Sequence, residues 1–232
     1  MHKVIHQIHI QGFNDMDEHL QKYCKMWMEM YGKDWEYKFW SDVEIIPFIA
    51  KNYKEYLDIY IDLLPVKKYD LSKLLILYHN VRMYCDTDTI PIKRMDKFLE
   101  LFDEYDAVHS WESESDMSWK KHIMKEFTEF EDSPMKHKKI IGSAWMYSKP
   151  NCQIYIDFVN EACKRLDKPV LEQFSTWFLT RWVAENNIES KGLKMLHYSY
   201  CLSVLPTDNS YLIHLYNFSW KENENDKPWE VY

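Results

Sequence analysis

Runs with apolar residues at every second position alternate along this chain with segments spaced for helices. The first run, Lys3 to Gln11 (KVIHQIHIQ), puts Val4, Ile8 and Ile10 on one side of an extended chain. Met16 to Tyr31 follows with Leu20, Tyr23, Cys24, Trp27, Met28 and Tyr31 at helical spacing, behind Asn14 and Asp15 as caps. Glu36 to Trp40, Val81 to Cys85, Asp106 to Ser110, Lys139 to Tyr147 and Tyr211 to Tyr216 read as further strands. Asn52 to Leu63, Lys67 to His79, Asn151 to Leu166 and Leu171 to Asn186 read as helices, the first two parted by Pro65. Strands that alternate with helices imply an α/β fold with a largely parallel sheet. Glu112 to Ser133 and the tail after Trp220 read as irregular. With no internal repeat and no linker rich in Pro, Gly or Ser, 1–232 is expected to form a single domain.

Composition narrows the chemistry. The 232 residues include only 4 Gly, where the usual frequency predicts roughly sixteen. A glycine-rich phosphate loop therefore cannot be built, and any phosphate must be held by a metal or by side chains. The net charge of −8 does not support a nucleic-acid footprint. It also means that an anionic nucleotide would need a divalent cation. At 46% hydrophobic and 28% charged residues, the chain is not of the disordered class. The five cysteines (Cys24, Cys85, Cys152, Cys163, Cys201) are odd in number and form no C-x-x-C pair. A disulfide framework and structural zinc are disfavoured, and a reducing, cytoplasmic setting is expected. The strand-like run at Lys3 leaves no room for a signal peptide, and no stretch approaches 18 apolar residues, so no membrane span is expected.

The sharpest local signal is Asp86-Thr87-Asp88, just past the Val81 to Cys85 strand. Side chains two apart on an extended chain point to one side, so both carboxylates can face one ion. Hard oxygen ligands suit Mg²⁺ or Mn²⁺. Ligands of open α/β sheets collect at the carboxyl ends of strands, where this pair falls. An isolated D-x-D is also compatible with a solvated acidic turn. Asp70 and Lys73 are three apart on one helix face, a spacing that equally suits a surface ion pair. Leu71, Leu74, Leu75 and Tyr78 form a separate apolar stripe. His6, His79, His122, His137 and His197 have no partner at metal spacing, and His6 is read as structural or nucleotide-adjacent. The acidic run through Asp116, Glu126, Glu129 and Glu131 reads as a solvated face.

The run VKKYDLSKLLILYHNVRMYCDTDTIPI resembles the centre of the family 32 glycosyltransferases, and a related segment occurs in the clostridial glucosylating toxins. The family pattern is a helix with S-D-x-x-R-x-x-x-L-Y, then G-G-x-Y-x-D-x-D. Asp70, Leu77, Tyr78, Tyr84, Asp86 and Asp88 fall in its register. The opening VIHQIHIQG resembles the family's I-H-Q-x-W-x-G, Trp27 and FWSD sit where it places W and W-x-D, and HLYNFSW matches its H-x-x-x-x-S-W. Four positions depart from it. Val81 and Arg82 replace the paired glycines, and His9 replaces the first-strand tryptophan that stacks on the base in the toxins. Lys73 replaces an arginine, which keeps the charge and loses the bidentate fork.

The resemblance implies a GT-A type, Rossmann-like fold with a mixed central sheet. It implies transfer of a hexose, with retention, from a nucleoside-diphosphate sugar to a hydroxyl of a glycan or protein acceptor. Asp86 and Asp88 would hold Mn²⁺ or Mg²⁺, and His214 would add an imidazole to the metal or a hydrogen bond to the diphosphate. Asp70 and Lys73 would contact the donor sugar. Ile8, His9 and Tyr84 would lie on the nucleotide side, and Ser219 and Trp220 would close over the diphosphate. Two other classes fit the D-x-D: a sugar- or nucleotide-binding module without catalysis, and a haloacid-dehalogenase-like phosphatase. Against the phosphatase, Ile90 stands where Thr or Val is wanted and no later D-D follows.

Overall fold

The computed structural model describes residues 3–79, 82–112, 139–168 and 170–216. β1 (Val4–Ile8), α1 (Glu18–Tyr31) and β2 (Glu36–Trp40) form the first β-α-β unit. α2 (Asp42–Asn52), α3 (Leu57–Asp62) and α4 (Pro65–His79) lead to β3 (Arg82–Cys85), followed by β4 (Thr89–Pro91), α5 (Asp96–Glu100) and β5 (Ala107–Trp111). β6 (Ile141–Ser148), α6 (Gln153–Ala162), α7 (Thr176–Glu185), β7 (Leu193–Leu196), α8 (Tyr198–Cys201) and β8 (Leu212–His214) complete the order.

Six strands make one sheet in the order β2-β1-β3-β6-β5-β7. β1 is parallel to β2 and β3, and β5 is parallel to β7. β6 runs antiparallel to both its neighbours, so the sheet is mixed. Alternation along the strands feeds two cores. Ile8, Tyr84, Ala107 and Met146 pack with α2, α4, α6 and α7, while Ile5, Met83, Cys85, Val108, Trp145 and Tyr147 pack with α1, α5 and α8. Burial on both faces explains the aromatic content, because each large ring removes more apolar surface from water than an aliphatic side chain does.

Most strands and helices expected from the sequence are present, and β4, α5, β7 and α8 are added to them. α1 starts behind Asp17 and not behind Asn14 and Asp15, and the helix expected from Leu171 starts at Thr176. Three further regions differ. Asp42–Asn52 is helical although Pro47 lies inside it. Ser41 and Glu44 form a capping box at its start, and Ile45 and Ile49 bury its inner face. The expected helix from Asn52 breaks at Tyr53 (φ −146°, ψ 50°), and a 3-10 turn at Lys54–Tyr56 precedes α3. The late strand shortens to Leu212–His214 and pairs with β4 in a separate ribbon, outside the central sheet. His6 is a core residue whose Nδ1 accepts from the Trp40 indole at 3.0 Å. Apart from Glu112, the acidic run of 112–133 lies outside the described residues.

His109 on β5 is buried, with Nε2 3.1 Å from the Tyr155 hydroxyl and Nδ1 3.4 Å from the Gly142 carbonyl. Burial pushes its pKa from 6.5 down to about 4. The unfolded chain therefore takes up this proton first as the pH falls. His109 adds stability above its unfolded pKa, and that stability is lost between about pH 6.5 and 4, to a total of about 3 kcal/mol. Urea denaturation at pH 7 and pH 4.5 should show a clearly smaller pH loss for His109→Gln than for the parent protein. Equal losses would place the acid sensitivity elsewhere.

Candidate active site

A cleft of about 410 Å³ opens at the carboxyl ends of β1 and β3. Its lining includes Ile8, His9, Asp15 and Asp17, Tyr69, Asp70 and Lys73 of α4, and Ser143, Ser175 and Thr176. Asp86, Asp88, Glu112, His214 and Tyr216 also line it, and Asp86, Asp88 and His214 are clustered there.

After Cys85 the chain turns. The Thr89 N–H donates to the Asp86 carbonyl at 3.2 Å, which closes the turn, and the Asp86 N–H donates to Ala144 of β6 at 2.8 Å. The two carboxylates are thus brought together by a turn, and the expected extended geometry is corrected. The Tyr84 hydroxyl donates to Asp86 Oδ1 at 2.6 Å, so this residue, expected on the nucleotide side, fixes a carboxylate from below. Burial pushes the Asp86 pKa up and Asp88 adds to it, while Lys73 and His214 work against both.

His214 arrives through the β4–β8 ribbon, where Thr89 pairs with His214 in register. Its N–H donates to the Ser203 carbonyl at 3.1 Å, and the next N–H, of Leu215, donates to the Asp88 carbonyl at 3.1 Å. His214 Nε2 lies 3.3 Å from Asp88 Oδ1, and the imidazole packs on Tyr216 with ring centres 3.9 Å apart. Burial opposes a charged imidazole, but Asp88 and then Asp86 outweigh it and raise the His214 pKa. Tyr216 holds a left-handed backbone (φ 50°), a strained conformation for a tyrosine. Ser219 and Trp220 lie outside the described residues.

Asp70 and Lys73 form a buried pair, not a surface one, with Lys73 Nζ 2.5 Å from Asp70 Oδ1 and donating to Ser143 Oγ at 3.1 Å. Burial disfavours the ammonium, yet Asp70, Asp86 and Asp88 outweigh it and raise the Lys73 pKa. His9 stands at the cleft wall with its ring edge against Tyr69, and burial lowers its pKa, which keeps the ring neutral at pH 7. Asp86, Asp88 and His214 each present a ligand atom, all within 4.8 Å of one another. Two carboxylates and an imidazole fit Mn²⁺ or Mg²⁺, and the nitrogen favours Mn²⁺.

Several cleft residues carry no local signal in the sequence. Ser143, Ser175 and Thr176 look like ordinary strand and helix positions, and Glu112 opens a run that reads as solvated. Gln7 sat in view within the H-Q pair, and its Nε2 donates to the Asp86 carbonyl at 3.1 Å.

Residues 17–106 match the glycosyltransferase sugar-binding region containing the DXD motif. This glycosyltransferase region takes in Asp70, Lys73, Tyr84, Asp86 and Asp88, and its D-x-D is the pair on the β3 turn. His214 lies beyond it and joins the pair only in three dimensions. The mixed sheet between two helical layers agrees with the glycosyltransferase architecture expected from the sequence. No curated protein matches the chain. Among solved structures, the PaToxG glycosyltransferase is similar, with a TM-score of 0.48 and 14% identity over 82% of this chain and 70% of that one. Among the described residues, no helix is long and apolar enough to cross a membrane.

Lys73 is the ammonium that faces Asp70 and Asp86 together. Lys73→Met should lower stability by about 3 kcal/mol, because removing one partner leaves buried carboxylates uncompensated. Lys73→Arg should retain most of that stability. Equilibrium urea denaturation of the three proteins checks this.

Proposed function

We propose that this protein is a metal-dependent, retaining glycosyltransferase of the family 32 type. It would move a hexose from a UDP- or GDP-sugar to an acceptor hydroxyl of a glycan or protein. The observation that carries the reading is the Asp86–Asp88–His214 cluster in a cleft whose D-x-D lies inside the matched glycosyltransferase region. The same match speaks against the phosphatase reading of the D-x-D.

Asp86, Asp88 and His214 would hold the divalent ion. Bound there, it would supply Lewis-acid stabilisation of the negative charge that develops on a departing diphosphate. The chain's own groups do the rest. Asp70, fixed by Lys73, would accept hydrogen bonds from the donor sugar hydroxyls, and Lys73 would be the cation beneath them. His9, neutral and beside Ile8, would lie against the nucleobase. Tyr84 would hold Asp86 in place. Ser219 and Trp220 would complete the cover over the diphosphate, a role that rests on the H-x-x-x-x-S-W resemblance. Retention needs no protein nucleophile on a front-face path. The bond from the anomeric carbon to the diphosphate oxygen breaks, the acceptor oxygen bonds on the same face, and its proton passes to the departing phosphate.

Incubation with Mn²⁺ and a panel of UDP- and GDP-sugars should reveal hydrolysis or transfer of one sugar. Asp88→Ala should cut this by about two orders of magnitude or more, the loss typical of one charge-stabilising element. Full activity in excess chelator would remove the metal from the reaction. A binding module would retain the sugar nucleotide unchanged.

Asp70→Asn should reduce transfer while affinity for the free nucleoside diphosphate persists. Equal weakening of sugar nucleotide and free diphosphate would place Asp70 away from the sugar. A chain truncated after Asn217 should bind diphosphate more weakly and lose transfer, and normal affinity and turnover would remove Ser219 and Trp220 from the site.

A further inference from the structure

We propose that Thr89 is a positioning residue, one whose hydroxyl sets the geometry of the Asp86–Asp88–His214 cation site without touching the ion. The inference rests on the reading of those three residues as metal ligands. Thr89 is fully buried and lies just beyond the D-x-D, at the start of β4.

Its bonds run in every direction that matters to the site. The Thr89 hydroxyl donates to the Asp86 carbonyl at 2.6 Å, and the Thr89 N–H donates to the same oxygen at 3.2 Å. Gln7 Nε2 reaches that oxygen from β1 at 3.1 Å, and Gln7 Oε1 accepts from the Tyr37 hydroxyl at 2.7 Å. From α1, the Trp27 indole N–H lies 3.1 Å from the Thr89 carbonyl and 3.2 Å from its hydroxyl oxygen, donating to both. Across the ribbon, Thr89 pairs with His214. One residue therefore closes the turn between the two aspartates and sets the register of the strand that delivers the imidazole.

The arrangement has a physical logic. A carbonyl oxygen has two lone pairs, so three donors on the Asp86 carbonyl saturate it and leave the turn little freedom to open. Asp86 and Asp88 face each other's charge in a buried place, and repulsion drives them apart when no cation lies between them. A turn held by the Thr89 hydroxyl, and braced by Trp27 and Gln7 behind it, keeps the carboxylates gathered before the cation arrives. Outer-shell groups of this kind typically contribute 10- to 100-fold to metal affinity.

Two substitutions separate the hydroxyl from the packing. Thr89→Val keeps shape and β-branching but removes the oxygen, while Gln7 and the residue-89 N–H still satisfy the Asp86 carbonyl. Thr89→Ser keeps the oxygen and removes a methyl group. Free Mn²⁺ is followed by electron paramagnetic resonance during titration of each protein, and the thermal midpoint of each is measured without metal. Thr89→Val should raise the Mn²⁺ Kd about tenfold or more, and Thr89→Ser should stay within about twofold of the parent. Gln7→Met, which removes a donor to the same carbonyl from another strand, should weaken Mn²⁺ binding in the same sense and serves if the valine variant does not fold. Unchanged Mn²⁺ affinity in folded Thr89→Val, or in Gln7→Met where that variant stands in for it, would overturn the inference and leave the metal site standing. So would a serine variant as impaired as the valine, because the effect would then belong to the methyl group. A parent protein that binds no Mn²⁺ would overturn both.

Discussion

Burying ionised carboxylates side by side opposes folding unless opposite charge and hydrogen bonds are built around them. The cleft centre lives under that constraint. Asp70, Asp86 and Asp88 are answered by one buried ammonium, Lys73, and by an imidazole, His214, whose pKa the aspartates raise against its burial. Lys73 sits on α4 and His214 on β8, so both ends of the chain's order contribute charge to one point. Burial still pushes the Asp86 pKa up, and Asp88 adds to it, against the opposing pull of Lys73 and His214. A site in that state is suited to a divalent cation.

The rest of the fold serves the placement of these groups. The central sheet sets β1, β3 and β6 side by side, so His9, Asp86 and Ala144 all line the cleft. α4, buried along most of its length, carries Asp70 and Lys73 into the cleft. The β4–β8 ribbon then ties the C-terminal part of the chain to the D-x-D turn through Thr89 and His214. Two aromatic cores, one on each sheet face, hold these elements rigid. Rigidity matters because a hard cation is bound by oxygen atoms already in place.

Much of this was legible along the chain. Period-two runs and helical spacing marked most elements, because each must bury one face and the burial pattern is local. The scarcity of glycine and the negative charge pointed to side chains or a metal for any phosphate. The D-x-D, Asp70, Lys73 and His214 were all named from motif register, and the cleft contains all five residues. Other features gave weaker signals. Pro47 hid α2, although the Ser41–Glu44 cap was written in the sequence.

The sequence by itself determined the alternation of strands and helices, and so an α/β fold, and the residue types available for chemistry. These depend on spacing along the chain and on composition, which local sterics and hydrophobicity translate directly. Only the tertiary structure decided that Asp70 and Lys73 are buried, that a turn gathers Asp86 and Asp88, and that Gln7, Trp27 and Thr89 converge behind them. It also decided that Ser143, Glu112 and Tyr216 belong to the cleft. Apart from the local Asp86–Thr89 turn, each of these facts depends on a meeting of segments separated by tens of residues or more. No local pattern encodes such a meeting, because it is set by strand order and by which faces must be buried together.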